Sequence, residues 1–238
     1  LAPLSSFAGV DASQAPHPVR AIRAQRMIDV LTGETVLSAV VLVRGDRIIA
    51  AGESLPIPKG AEVIDLKDAT LLPGLIDCHT HMTTTYRFLI KGGPMNDAVT
   101  AHIHALSTLR AGVTTARDPG RPIEVYAPVR AANAPMPRCF LTGGHLDGEP
   151  PAWPDNAIVI KTPDQARAAV RRFVGEGASA IKAYFRLSLD SIRATCETAH
   201  ELKVPVTAHL ELLDPVDAIE AGLDGIEHIT SFGVSLAE

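Results

Sequence analysis

Short apolar runs alternate with polar turns near the start of the chain. Residues 19–66 contain "VRAIRAQRMID", "TVLSAVVLVRGDRIIAAGE" and "AEVIDL", all rich in Val and Ile, with "RGD" and "PKG" as turn signals. Runs of this composition, bounded by Gly and Pro, are typical of short strands. The pattern predicts a small β unit over residues 19–70, preceded by a tail over residues 1–18.

From residue 71 onward, short apolar runs alternate with longer helical patterns. The helical patterns are "DAVTAHIHALSTLRAG", "TPDQARAAVRRFVGEG" and "SLDSIRATCETAHELK"; in the second, Thr162 and Pro163 mark the start and Gly177 the end. The predicted strands are Leu72–His79, Val113–Arg117, Cys139–Thr142, Ala180–Tyr184, Val206–His209 and Gly225–His228. This alternation indicates an α/β fold with a parallel sheet, either doubly wound or a barrel, over residues 71–238.

Charge and hydropathy limit the partners. The 238 residues carry a net charge of −5 without a basic cluster, which argues against nucleic acid, and no apolar run is long enough for a membrane span. The expected partner is a small molecule, and we expect a homo-oligomer. The first residues are apolar and then small and polar, which favours the remnant of a secretory signal; a disordered tail left by trimming is the alternative. A periplasmic or secreted location is therefore favoured over a cytoplasmic one.

Residues able to bind metals or substrates follow the predicted strands. His79 and His81 come after the first; the others are Arg117, Asp118, His145, Lys182, His209 and His228. In a parallel α/β barrel the active site is built at these carboxyl ends. If Leu75 to His81 is a strand, His79 and His81 project to one face and can share a metal. Each histidine alone is more often a core residue, but the set favours a metal site.

Several of these segments resemble one protein family. "PGLIDCHTH", "IKAY", "VTAHL" and "GIEHI" resemble the metal-binding strand ends of the amidohydrolase superfamily, and the preceding segment resembles the start of its small β-sandwich. "GVTTARDPG" and "LTGGH" are similar to the branch of prolidase-like carboxypeptidases and dipeptidases, related to imidazolonepropionase. The resemblance implies a TIM-like (β/α)8 barrel, with six β/α units in this chain and a small N-terminal β-sandwich portion.

The resemblance also implies a ligand set for two divalent metal ions. His79 and His81 would bind one metal, His209 and His228 the second, and a carbon dioxide-derived carbamate on Lys182 would bridge them. Zinc is the expected metal, although manganese, cobalt and iron accept the same ligands. A buried lysine beside metals has a lowered pKa, and its free amine can react with carbon dioxide. The alternative for Lys182 is a side chain that extends to solvent.

The implied reaction is hydrolysis of amide bonds by a metal-bridging hydroxide, with Lys182, His209 and His228 as catalytic residues. Family members also use an aspartate after an eighth strand. The sequence ends at Glu238, after the sixth predicted strand. We therefore expect this chain alone to be inactive, with strands seven and eight either on the same longer protein or on another chain.

Two residues are candidates for substrate binding. Tyr184 shares a face with Lys182 if both lie on a strand, and His145 lies in the Gly-rich stretch "LTGGHLDGEPPAW", where the peptidase-like branch binds the substrate carboxylate. The alternatives are a packed aromatic for Tyr184 and a loop histidine bonded to backbone for His145. Arg117 and Asp118 are expected to form a local ion pair that shapes a loop.

Three functions remain open from the sequence. The first is hydrolysis of peptide-like or N-acyl amino acid substrates, as by a dipeptidase or carboxypeptidase. The second is hydrolysis of a cyclic amide, by a protein resembling imidazolonepropionase. The third is a non-catalytic relative that keeps the barrel for assembly. His145 favours the first, and the complete set of five ligands argues against the third.

Overall fold

The chain divides into two compact units, Leu1–Pro73 and Gly74–Glu238. The structure, a computed structural model, describes residues 17–82, 97–120, 123–154 and 157–233, apart from the side chains of residues 97, 98, 129 and 130. The predicted tail over residues 1–18 lies almost entirely outside the described residues. Among the described residues, no helix has both the length and the apolar character needed to cross a membrane.

The first unit is built on one five-stranded sheet. Its strands are β1 (Val19–Ile28), β2 (Thr35–Arg44), β3 (Arg47–Glu53), β4 (Glu62–Asp65) and β5 (Thr70–Leu71). The strand order is β3-β2-β1-β4, and β5 also pairs with β1. β1 and β2 form an antiparallel pair with Val19 opposite Arg44, whereas β4 and β5 run parallel to β1.

Buried and exposed side chains alternate at the start of β1, whereas four successive residues of β2, 39–42, are buried. Val19, Ala21, Val40 and Leu42 form the buried cluster. Arg20, between two buried positions of β1, is exposed and pairs with Glu62 on β4 at 3.0 Å. The sequence predicted these strands from their Val- and Ile-rich runs and made no prediction about which face is buried. Within the described residues the first unit shows this single sheet, and the β-sandwich stays a prediction.

The second unit contains two parallel sheets. The first has the order β6-β7-β8 and the second the order β10-β9-β11-β12-β13. The strands are β6 (Leu75–Asp77), β7 (Val113–Asp118), β8 (Arg138–Leu141), β9 (His145–Asp147), β10 (Ala157–Val159), β11 (Ile181–Ala183), β12 (Val206–Ala208) and β13 (Gly225–Ile226). The parallel α/β prediction is confirmed. The six predicted strands are present but mostly shorter, and β9 and β10 were not predicted.

Helices connect these strands. They are α1 (Asp97–Arg110), α2 (Ala127–Ala131), α3 (Pro163–Gly175), α4 (Leu189–Glu201) and α5 (Pro215–Glu220), with 3-10 turns at Ile123–Tyr126 and Ile229–Phe232. The Thr162 side chain accepts a hydrogen bond from the Gln165 amide, so it caps α3 as predicted. Gly177 has a φ of 98°, a left-handed conformation that follows the end of this helix. Apolar faces of α3 and α4 contribute to one core with the strands.

Candidate metal centre

The predicted site residues lie at or near the carboxyl ends of the parallel strands. His79 and His81 follow β6, His209 follows β12 directly, and His228 lies two residues after β13. Lys182 lies within β11. His79 and His81 thus follow a strand of the first parallel sheet, whereas Lys182, His209 and His228 lie on or after strands of the second.

Ring contacts join the four candidate ligand histidines. The centroid of His79 lies 5.0 Å from that of His81 and 4.5 Å from that of His228, which lies 4.4 Å from that of His209. Tyr184 continues the row, 5.1 Å from His209 and 4.4 Å from His145. The structure therefore brings together all the histidines that the sequence singled out as site residues, although residues 79 and 228 are 149 positions apart along the chain.

His79 and His81 lie close together because of a turn, and not because they share one face of a strand as the sequence predicted. The strand ends at Asp77, so neither histidine lies on it. The Asp77 carboxylate accepts a hydrogen bond from the His79 amide at 3.0 Å and thereby fixes the turn that follows β6. This turn places the Nε2 atoms of the two rings 3.2 Å apart.

Glu227 is the charged residue at the centre of the site that the sequence analysis missed. Its Oε2 lies 2.6 Å from His79 Nδ1, and its Oε1 lies 2.5 Å from Arg117 Nη2 and 3.7 Å from Lys182 Nζ. Burial opposes ionisation of Glu227, but its hydrogen bond to His79 and the charges of Lys182 and Arg117 hold its pKa well below the usual range. A buried anion therefore balances the cationic side chains here.

Arg117 does not pair with Asp118, contrary to the sequence prediction. Successive residues of a strand point to opposite faces. Arg117 instead donates to Glu227, to the Cys78 carbonyl at 2.7 Å and to Thr207 Oγ1 at 3.2 Å, which connects the two sheets. Asp118 accepts hydrogen bonds from the Met82 amide and from the Tyr126 hydroxyl.

Lys182 is buried and its amine has no hydrogen-bond partner among the described residues. Glu227, at 3.7 Å, is too far for a hydrogen bond. Burial is the largest influence and, together with Arg117, lowers the pKa of Lys182 to about 7 although Glu227 opposes this. Its side chain does not extend to solvent, so the alternative reading of this lysine is wrong.

Two histidines of the site, His209 and His228, are held toward their neutral form. Burial, followed by the neighbouring His79, His209 and Lys182, lowers the pKa of His228 to about 4. Burial also lowers the pKa of His209, against the effect of Glu211, whose Oε1 lies 2.8 Å from His209 Nε2. Neutral imidazole is the form that binds metals.

His228 has an unusual backbone conformation, with φ 65° and ψ 144°. For a residue with a side chain, such a conformation costs roughly 1–3 kcal/mol and is found mainly at functional sites. It turns the chain sharply after β13, so that Glu227 and His228 both reach the site although they are adjacent.

His145 lies on a strand, not on the loop that the sequence predicted. It begins β9, is buried, and its Nε2 has no hydrogen-bond partner among the described residues. Burial, with the charges of Lys182 and His81, lowers the pKa of His145 to about 4. His145 is therefore neutral at pH 7 and can act as a hydrogen-bond donor but not as a cation.

The fit of these residues to a metal can be tested on the geometry. Among the described residues, no group of three or more His, Cys, Asp or Glu side chains is close enough to hold a metal ion as it stands. The donor types are suitable, and the 3.2 Å between the Nε2 atoms of His79 and His81 is close to the ~3.4 Å that two ligands of a tetrahedral zinc with ~2.1 Å bonds would have. The buried, unpaired Lys182 amine adds a donor at the same place. These residues fit a divalent metal by donor type and by the spacing of one histidine pair.

Comparisons with known proteins agree with this architecture. The sequence model of the amidohydrolase family matches residues 70–237. A stretch of 42 residues is 52% identical to dihydroorotase of Mycobacterium leprae (strain TN), covering 18% of this chain and 10% of that protein. A stretch of 82 residues is 34% identical to imidazolonepropionase of Alkaliphilus metalliredigens (strain QYMF), covering 30% of this chain and 19% of that protein.

A solved structure is similar over most of the chain. A prolidase complexed with N-methylphosphonate-L-proline superimposes with a TM-score of 0.75 at 23% identity, covering 88% of this chain and 60% of the prolidase. At this identity the likeness shows the fold. The chain thus spans less than two thirds of the length of the relatives that it matches.

Proposed function

Because the chain belongs to the amidohydrolase family, we propose that the full-length protein is a metal-dependent hydrolase of amide bonds in peptide-like or N-acyl amino acid substrates. The observation that carries the proposal is the ring contact of four histidines near the ends of parallel strands, together with the buried Lys182, whose amine lies 3.7 Å from the Glu227 carboxylate that contacts His79. The resemblance of "GVTTARDPG" and "LTGGH" to prolidase-like carboxypeptidases and dipeptidases supports the peptide-like substrate class. The proposal includes a complete (β/α)8 barrel, to which this chain contributes strands of its second unit, and a small N-terminal β-sandwich portion.

In this proposal the site holds two divalent metal ions, with zinc as the expected metal. His79, His81, His209 and His228 would bind them, and Lys182 would bridge them as a carbamate. When bound, the metals would polarise the scissile carbonyl and lower the pKa of a water molecule. A lysine pKa of about 7 leaves a large fraction of the amine neutral near physiological pH, as its addition to carbon dioxide requires.

Tyr184 and His145 would bind the substrate beside this centre. Tyr184 is half-buried and stacks on Phe185, whose ring lies 4.4 Å from that of His209. This aromatic wall suits the apolar part of a substrate. The unpaired Nε2 of the neutral His145 would donate a hydrogen bond to the substrate carboxylate.

A hydrolysis screen tests this proposal. The full-length protein, with its metal content measured, would be offered Xaa-Pro dipeptides, N-acyl amino acids and cyclic amides. We expect hydrolysis of one of the two linear classes. The similarity to imidazolonepropionase supports cyclic-amide hydrolysis as a second candidate, and exclusive turnover of cyclic amides would favour it. A purified protein without a divalent metal and without turnover in any class would overturn both.

His145→Ala tests the carboxylate-binding role. We expect kcat/KM to fall by roughly ten- to a hundredfold on substrates with a free α-carboxylate, which is the value of a hydrogen bond to a charged group. Metal content should not change, because His145 is not a ligand. Amidated substrates should be poor for the wild type and little affected by the change. Equal losses on acid and amide substrates would show that His145 only supports the local packing.

A further inference from the structure

Two of the candidate ligand histidines each present one ring nitrogen to a carboxylate. His79 Nδ1 lies 2.6 Å from Glu227 Oε2, and His209 Nε2 lies 2.8 Å from Glu211 Oε1. The contact of His79 is made by its Nδ1 atom, whereas that of His209 is made by its Nε2 atom. Neither glutamate was singled out by the sequence pattern, and neither is a ligand in the proposed function.

A carboxylate only accepts hydrogen bonds when it is ionised, so the ring nitrogen that faces it must carry the hydrogen. In a neutral imidazole the other nitrogen then has a free lone pair. We propose that Glu227 and Glu211 are positioning residues that fix these tautomers, leaving Nε2 of His79 and Nδ1 of His209 as the metal-binding atoms. The metal-binding part of this inference rests on the proposed function, whereas the tautomers do not.

The surroundings of Glu227 support this role. Arg117 donates to its Oε1, which leaves Oε2 to His79. Arg117 is itself held by the Cys78 carbonyl, which follows β6, and by Thr207 on β12, so the position of the Glu227 carboxylate is fixed through Arg117. The Nε2 atoms of His79 and His81 face each other at 3.2 Å, as two atoms that share a cation would. Metal-bound histidines usually donate their other ring nitrogen in this way.

The surroundings of Glu211 are more open. Its side chain is 33% exposed, against 7% for Glu227. Water can therefore replace part of the hydrogen bond to His209 when Glu211 is changed. We expect the same kind of effect at both positions, but a smaller one at Glu211.

The tautomers can be measured directly in the metal-free, full-length protein. With histidine labelled by ¹⁵N in the ring, two-bond ¹H–¹⁵N spectra at about pH 8.5 distinguish the two neutral tautomers. Signals are assigned by their loss in His79→Asn and His209→Asn. We expect His79 with hydrogen on Nδ1 and His209 with hydrogen on Nε2. The opposite tautomer, or a doubly protonated ring, at either position would overturn the inference for that pair. A protein that shows the expected tautomers but binds no zinc would overturn the proposed function and the metal-binding part of the inference, and the assignment of the tautomers would stand.

Glu227→Gln and Glu211→Gln then test the consequence for zinc. The side chain keeps its size, but its amide can donate to the ring and favour the wrong tautomer. We expect the zinc Kd, from chelator competition, to rise roughly ten- to a hundredfold in Glu227→Gln and less in Glu211→Gln. The exposed Glu220→Gln on α5 is the matched control and should leave Kd unchanged. If circular dichroism shows that Glu227→Gln does not fold, the tautomer and the zinc Kd of Glu211→Gln test the positioning role. Unchanged tautomers and Kd in a folded variant would refute the role.

Discussion

Replacing Lys182 with alanine is expected to remove most of the bound metal from the full-length protein and to lower kcat/KM by more than about a hundredfold. Mutation of a residue that only supports a metal ligand typically lowers metal affinity or activity about ten- to a hundredfold, and loss of a ligand itself should cost more. Lys182 is buried, its amine lies 3.7 Å from the Glu227 carboxylate that contacts His79, and this amine has no hydrogen-bond partner among the described residues. The carbamate oxygens that hold two metals together in the proposed function have no substitute in alanine. Metal analysis and steady-state kinetics on one preparation would measure both losses.

A short carboxylic acid added to Lys182→Ala should restore part of the metal content and activity, because its two oxygens can occupy the space of the carbamate. Lys59→Ala, at an exposed lysine of the first unit, is the control and should behave as wild type. Full metal content and rate in Lys182→Ala would show that the lysine only fills space. Lys182→Met, which keeps the volume of the side chain, would separate loss of packing from loss of the ligand.

The positions of the candidate ligands were accessible from the sequence because strand ends are marked by composition. Short runs of Val, Ile and Ala end at His209 and near His228, and parallel strands direct their carboxyl ends to one edge. The strand lengths were less accessible. β6 ends at Asp77, before His79, because the Asp77 side chain bonds to the backbone and competes with the strand.

The carboxylates around the histidines were not predicted, and the reason is geometric. Strand alternation places Glu227 and His228 on opposite faces, so the pattern gives no reason to expect both in one site. The positive φ of His228 removes that restriction. The pairing of Arg117 with Glu227 joins residues on different sheets and has no local signal in the sequence. A glutamate directly before a candidate ligand histidine, as in "GIEH", is the signal that a closer reading could have used.

His145 shows how a short strand escapes detection. "HLD" is three residues long and follows two glycines, which suggest a loop. Its burial comes from pairing with β10 and β11 on both sides, which the sequence of β9 alone does not reveal. The position of His145 on a buried strand also changes its expected charge. A buried imidazole is neutral at a pH where an exposed loop histidine would be partly charged.

Asp147→Ala is expected to lower the thermal stability of the full-length protein strongly. Asp147 lies on β9, the strand that also carries His145. Its buried carboxylate accepts three backbone hydrogen bonds, from Gly148 and Arg186 on Oδ1 and from Ala152 on Oδ2. Alanine leaves these amides without their acceptor, at about 1–3 kcal/mol each. A loss of at least ~3 kcal/mol corresponds to a fall in Tm of roughly 6–12 °C for a domain of about 150–250 residues, measurable by calorimetry.

Asp147→Asn separates the two oxygens, because its amide keeps one acceptor and replaces the other by a donor. With the remaining oxygen at the Oδ1 position, the bonds from Gly148 and Arg186 persist while the Ala152 amide meets an NH₂ group. We therefore expect an intermediate fall in Tm. Asp46→Ala, at an aspartate whose side chain is 87% exposed, should change stability by less than about 0.5 kcal/mol. If Asp147→Ala were no less stable than Asp46→Ala, water would have to satisfy all three amides, and the carboxylate would not be what holds this segment beside the site.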